Sequence, residues 1–180
     1  EAFLGEARGP RAAASEWRAL LLPHAGHVYS GAVCGEGVGA VELPPTVLLL
    51  GPNHVGEGEG LALSDATAWR TPLGDVPVAR GLVDELLAAG GGIRLDGRAH
   101  RREHSLEVIL PFLQAARPDV SVALLSLGER DGAWEWATRV ESRSSTGVSN
   151  SSERSNAAFA KSRHSAESDG SSIGIFAATA

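Results

Sequence analysis

Three stretches of this chain are apolar almost without interruption: Ala19-Leu20-Leu21-Leu22, Thr46-Val47-Leu48-Leu49-Leu50 and Val120-Ser121-Val122-Ala123-Leu124-Leu125. A strand with one face in water alternates apolar and polar side chains, so runs that do not alternate belong to strands covered on both faces. Each is strand-sized and too short to span a bilayer. Helical patterns lie between them. From Val78 to Ala89, Leu82, Leu86 and Ala89 share a face, and Gly90-Gly91-Gly92 closes the pattern. From Glu103 to Ala116, Leu106, Ile109, Leu110 and Leu113 keep helical spacing, with Pro111 expected to kink the helix or mark a boundary. A weaker, glycine-interrupted stretch, Ala32 to Val41, is expected to carry the chain from the first strand to the second. Leu61-Ala62-Leu63 is a shorter candidate strand. Strands alternating with helices predict an α/β fold.

The 180 residues are enough for one sizeable core and too few for two comfortable domains. Lys and Arg number 16 against 22 Asp and Glu, a formal charge of -6, with no basic run longer than Arg101-Arg102. That balance argues against nucleic acid and membrane surfaces and for a small-molecule or peptide ligand. Cys34 has no second cysteine to pair with, and no apolar leader opens the chain, so a cytoplasmic location is expected. The chain starts at Glu1 and contains no Met, so its natural start is expected upstream. Composition changes near Arg139: Ser142 to Ser172 is crowded with Ser and lacks apolar periodicity. Residues 1–138 are therefore read as the α/β domain and 139–180 as a tail without packed structure, disordered or out of frame.

Two of the apolar runs end in the same way: Leu21-Leu22-Pro23-His24-Ala25-Gly26 and Leu49-Leu50-Gly51-Pro52-Asn53-His54. If the two runs are parallel strands, His24 and His54 leave the sheet at one edge, where open α/β sheets place their ligands. Two converging imidazoles can hold a divalent transition metal. A strand-end His that merely satisfies loop carbonyls is the plainer alternative. A second cluster, His100-Arg101-Arg102-Glu103-His104, spells the H-x-x-E-H of inverted zincins, in which one helix carries two zinc ligands and a Glu base. That reading needs a helix already formed at His100, which Gly97 and Arg98 oppose. Alternatively, Glu103, His104 and Glu107 face the two strand-end histidines as supporting partners or as proton-transfer groups. Cys34 is a candidate soft ligand or a small core residue, and Tyr29 and Ser30 are candidates to hydrogen-bond a substrate.

Pro23-His24-Ala25-Gly26-His27-Val28-Tyr29-Ser30-Gly31 resembles the PHAGYxYSG segment of the Memo-like family, and Leu50-Gly51-Pro52-Asn53-His54 its LGPNH. The stretch from Trp69 to Val78 is similar to WxTPLGxVPV, and that from Ala99 to Phe112 to AHxxEHSxExxLPF. Four motifs in order make the resemblance specific. It implies a three-layer α/β/α fold like that of the class III extradiol dioxygenases (LigB-like), here with its C-terminal part incomplete. His24 and His54 then match the metal ligands of a non-haem iron or copper type of site, with Fe(II), Cu or Zn as the cofactor and no nucleotide cofactor. His104, with Glu107, would serve catalysis by moving protons or orienting substrate. Bacterial members are named as protein B of a system that also holds Ammecr-like and radical-SAM proteins, which are the implied partners. Eukaryotic relatives are described as signalling mediators, so a peptide- or phosphate-binding module without turnover is the alternative to a dioxygenase-like enzyme. The chain departs from the pattern at His27, where the family has an aromatic residue. It also lacks counterparts of the later SSDxSH segment and of the CG segment that supplies a third site residue. His164, Glu167 and Asp169 lie in the tail among surroundings unlike the family's.

Overall fold

The computed structural model describes residues 19–128 and 173–179, the last seven through their backbone pairing. Its elements run β1 (Ala19–Pro23), α1 (His27–Gly39), β2 (Thr46–Pro52), β3 (Leu61–Leu63), β4 (Ala68–Thr71), β5 (Gly74–Pro77), α2 (Arg80–Ala89), β6 (Arg94–Leu95), α3 (Leu110–Ala116), β7 (Ser121–Leu127) and β8 (Ile173–Thr179). Short 3₁₀ turns occupy Gly97–Ala99 and Glu107–Ile109. The architecture is mixed α/β around a six-stranded sheet of order β1-β8-β2-β7-β3-β6. β1, β8, β2 and β7 are mutually parallel, whereas β3 runs antiparallel to β7 and β6 parallel to β3. β4 and β5 form a separate hairpin.

Two of the three uninterrupted apolar runs, β2 and β7, are strands covered on both sides; the first, β1, is an edge strand in which Leu22 is buried and Leu21 is 45% exposed, contrary to expectation. Along β2, Val47 and Leu49 join one apolar cluster and Leu48 and Leu50 another; along β7, Val122 and Leu124 split from Ala123 and Leu125 in the same way. Successive side chains of a strand point to opposite faces, so the two clusters lie on the two faces of the sheet. The first face is covered by α1 through Cys34 and Val38 and by α3 through Leu110, Phe112 and Leu113. The second is covered by α2 through Val83, with Leu82, Leu86 and Leu87 partly buried beside it.

Three elements differ from the sequence expectation. α1 starts at His27 and ends at Gly39, earlier at both ends than Ala32 to Val41. Its glycines are the reason the helix fits: Gly31, Gly35 and Gly39 are buried with Ser30, Cys34 and Val38. Gly37 comes so close to β1 that an added Cβ would lie 2.7 Å from Leu22 Cδ2. The helix expected from Glu103 begins only at Leu110. Ahead of it, the backbone N–H groups of His104 and Ser105 donate to the Glu103 carboxylate, and Glu107–Ile109 forms a 3₁₀ turn. Pro111 then falls in the first turn of α3, where its missing N–H costs nothing. The β4–β5 hairpin was not foreseen, because its turn is made by Pro72-Leu73 with Gly74 at φ 119° and not by an Asn-Gly or Asp-Gly pair.

The largest difference is β8. The expectation of a tail without packed structure does not hold at Ile173–Thr179, which pairs in parallel with β1 on one side and β2 on the other. The Ser-rich stretch from Ser142 to Ser172, with His164, Glu167 and Asp169, lies outside the described residues, as does the expected boundary near Arg139.

Candidate metal centre

The sheet register brings the two strand-end motifs to one height. Leu21 of β1 and Leu50 of β2 both pair with Ala177 of β8, so His24 and His54 emerge from the same sheet edge although their strands are not neighbours. Their Nε2 atoms stand 3.4 Å apart and their ring centroids 5.1 Å. His104 completes a triangle, its ring centroid 5.4 Å from that of His54 and 6.0 Å from that of His24. His24 is buried, whereas the side chains of His54 and His104 are 39% and 53% exposed, so the cluster opens to solvent on their side.

Behind the rings lies Glu103, whose side chain is only 2% exposed. Its Oε1 accepts from the backbone N–H groups of His104 at 2.8 Å and Ser105 at 2.9 Å, and lies 3.2 Å from His54 Nδ1. Its Oε2 accepts from the backbone N–H of His54. Burial, the largest single influence, pushes this carboxyl up. The hydrogen bonds from Ser105, His54 and His104 together outweigh it and bring the pKa down to about 2. The carboxylate is therefore ionised and acceptor-only at neutral pH. Ser105 Oγ adds a hydrogen bond to the Pro52 carbonyl at 2.8 Å, fastening the same turn to the end of β2.

His54, Glu103 and His104 are grouped closely enough to share a cation, with one donor atom from each within 4.8 Å of the others. Three backbone N–H groups donate to the Glu103 carboxylate, two at Oε1 and one at Oε2, and the Nδ1 atoms of His54 and His104 lie 3.2 and 3.3 Å from Oε1.

The other candidates fall elsewhere. Glu107 is exposed on the 3₁₀ turn before α3 and is not part of this group; the carboxylate brought to the histidines is Glu103. His100 and His104 do not share a helix. His100 is buried, with Nε2 2.9 Å from the Ala62 carbonyl and its ring edge-on to Trp69 at 5.9 Å, so the turn forms no H-x-x-E-H zinc site. Burial pushes the His100 pKa down, opposed by the Ala62 hydrogen bond and by Asp65, Asp96 and Glu103. His27 is turned onto α3, with Nε2 2.8 Å from the Val108 carbonyl and its ring 5.3 Å from that of Phe112. Burial raises the Cys34 thiol to about 12, and its place in the core between α1 and the sheet marks it as a packing residue. Ser30 Oγ donates to the Ala25 carbonyl, while Tyr29 is almost fully exposed.

Known proteins bear on the whole stretch that carries these histidines. The family model described as Memo-like protein matches residues 1–139. The chain belongs to the Memo-like family. Among its curated relatives, a MEMO1 family protein of Thermococcus onnurineus is 39% identical over 118 residues, 62% of this chain and 40% of the relative. One from Methanocaldococcus jannaschii is 47% identical over 102 residues, 53% of this chain and 35% of the relative. A third, from Aquifex aeolicus, is 44% identical over 97 residues, 54% of this chain and 36% of the relative. The chain thus spans well under half the length of these Memo-like relatives. No helix among the described residues is long and apolar enough to cross a membrane.

Proposed function

We propose that this Memo-like chain binds one divalent transition metal through Nε2 of His24 and His54, as the entry point of a dioxygenase-like oxidative chemistry whose substrate is a small molecule. The observation that carries the reading is the 3.4 Å between the two Nε2 atoms. Two imidazole nitrogens each about 2.1 Å from a tetrahedral ion stand roughly 3.4 Å from one another, so the spacing of the pair is that of two ligands on one zinc. Iron and copper take the same ligands. Such an ion would supply Lewis-acid or redox chemistry at the open face of the cluster.

The chain's own residues then divide the work. His24, buried at the end of β1, forms the closed side of the site. His54 is held by Glu103 at both its backbone N–H and its ring. His104, half exposed at the mouth, is the group placed to carry protons between solvent and a bound substrate. The sheet covered on both faces is what a LigB-like three-layer fold requires, and we assign the chain to that architecture on this ground. The lone buried Cys34 suits a cytoplasmic setting.

The test is metal content and affinity of the purified chain. Elemental analysis should find about one metal per chain after loading with Fe(II), Cu or Zn. His24→Ala and His54→Ala should each weaken binding at least ten-fold, while Glu107→Ala leaves it unchanged. Full metal content in the His24→Ala/His54→Ala double variant would sink the assignment. Ligand binding that ignores chelators would favour a peptide- or phosphate-binding module instead.

A further inference from the structure

Glu103 does more than join two loops. One carboxylate grips His54 twice, at the main-chain N–H through Oε2 and at ring Nδ1 through Oε1, 3.2 Å away. The first contact sets where the residue sits, and the second sets how the ring is turned. The carboxylate is in turn immobilised by the N–H groups of His104 and Ser105, and Ser105 Oγ ties that turn to the Pro52 carbonyl, two residues before His54. A group that can only accept requires the ring nitrogen facing it to carry the hydrogen.

We propose that Glu103 is a positioning residue that fixes His54 in the Nδ1–H tautomer, so that its Nε2 lone pair faces Nε2 of His24. Between the two rings, 3.4 Å apart at Nε2, the hydrogen then belongs to His24, which donates to His54 in the metal-free protein. A metal entering between them meets His54 already in the ligating tautomer, while the hydrogen that His24 carried at Nε2 passes to its Nδ1, leaving His24 a neutral ring with its Nε2 lone pair free for the metal. A carboxylate behind a metal-binding histidine has this effect on ring orientation and basicity in general, and its loss costs ten- to hundred-fold in metal affinity. The proposal rests on the metal-site reading for its purpose, but the tautomer itself does not depend on any metal.

Long-range 1H–15N NMR of the uniformly labelled, metal-free full chain reads the tautomer directly. The expected spectrum has His54 protonated at Nδ1 and bare at Nε2. In Glu103→Gln the carboxamide can present an N–H toward the ring. His54 should therefore shift to the Nε2–H form, and zinc affinity should fall ten- to hundred-fold. Glu103→Asp keeps an acceptor and should retain the wild-type tautomer with a smaller loss of zinc. A wild-type His54 protonated at Nε2 overturns the proposal, whatever the variants do. So does a folded Glu103→Gln, judged by its wild-type circular dichroism, whose tautomer is unchanged. If Glu103→Gln does not fold, the wild-type spectrum and Glu103→Asp decide alone. A wild-type chain with Nδ1–H at His54 but no zinc binding removes the metal reading and leaves the role of Glu103 standing.

Discussion

Cys34 and Glu103 sit a short distance apart in kind and far apart in chemistry, because each is governed by what surrounds it. Burial without a charged partner raises the Cys34 thiol to about 12, so the thiolate that would react is absent at neutral pH. A thiol-specific reagent should leave Cys34 unmodified in the native protein and label it at once in denaturant; fast labelling without denaturant would contradict its place in the core. Glu103 is buried too, but three backbone N–H donors and the contact with the His54 ring hold it ionised with a pKa of about 2. Its folded value lies below the usual 4.5, so its contribution to stability is complete above about pH 4.5 and is lost as pH falls toward 2. At roughly 1.4 kcal/mol per pH unit the full effect is on the order of 3 kcal/mol. His100 acts in the same sense at higher pH: with its pKa lowered by burial, it favours the folded state above its usual 6.5 and opposes it increasingly below. Chemical denaturation at stepped pH should therefore show stability falling from pH 6.5 downward, and Glu103→Gln should flatten the part below pH 4.5. His24 and His54 were legible in the sequence from their repeated setting. The sequence also offered Glu107 as readily as Glu103, and no spacing rule could choose between them, since the choice depended on where the chain leaves its turns and begins α3.

At the scale of elements, the site depends on β2 and the 103–105 turn lying against each other. Gly51 is where they touch: a Cβ there would lie 2.5 Å from Leu106 Cδ2 and 3.1 Å from Ser105 Oγ. Gly51→Ala should push the turn away from the strand, destabilise the fold by about 1–3 kcal/mol as overpacking does, and weaken zinc binding by moving Glu103. Denaturant melts with zinc titration check both effects. Unchanged stability and zinc affinity would mean that the contact is easily relieved. The helices show why pattern reading succeeds for some elements and not others. α2 carries its apolar residues at helical spacing with a glycine stop, and its extent was readable to within two residues at its start. α1 packs largely through glycines and a serine, which carry no periodic hydrophobic signal, so the residues from His27 to Gly31 lay outside the expected helix. α3 begins at Leu110, after a 3₁₀ turn at Glu107–Ile109, and Leu106 and Ile109 keep helical spacing in the turns before it, so the apolar pattern did not mark the boundary.

At the scale of the molecule, β8 is the strand that joins the two histidine-bearing strands. It stands between β1 and β2 and pairs with both, so it sets the lateral distance at which His24 and His54 meet. Removing residues 173–180 should leave two unpaired strand edges, lower the midpoint of unfolding and promote association. It should also weaken metal binding as strongly as His24→Ala, because β1 would lose its only pairing among the described residues. Size-exclusion chromatography and zinc titration of the shortened chain measure these effects. A monomer with intact zinc binding would show that β1 is held by its contact with α1 alone.

The sequence by itself determined the α/β class, the central strands β2 and β7 with both faces covered, the family, and the two strand-end histidines that the fold brings together. These follow from local composition and short motifs, which fix where a chain can be apolar and where it must turn. Only the tertiary structure decided that Glu103 stands behind His54, that His100 turns to a carbonyl of β3 and away from the site, and that the two histidine strands are separated by a third. Those outcomes hang on pairings between segments from 30 to more than 150 residues apart, set by hydrogen bonding and close packing that no local pattern records.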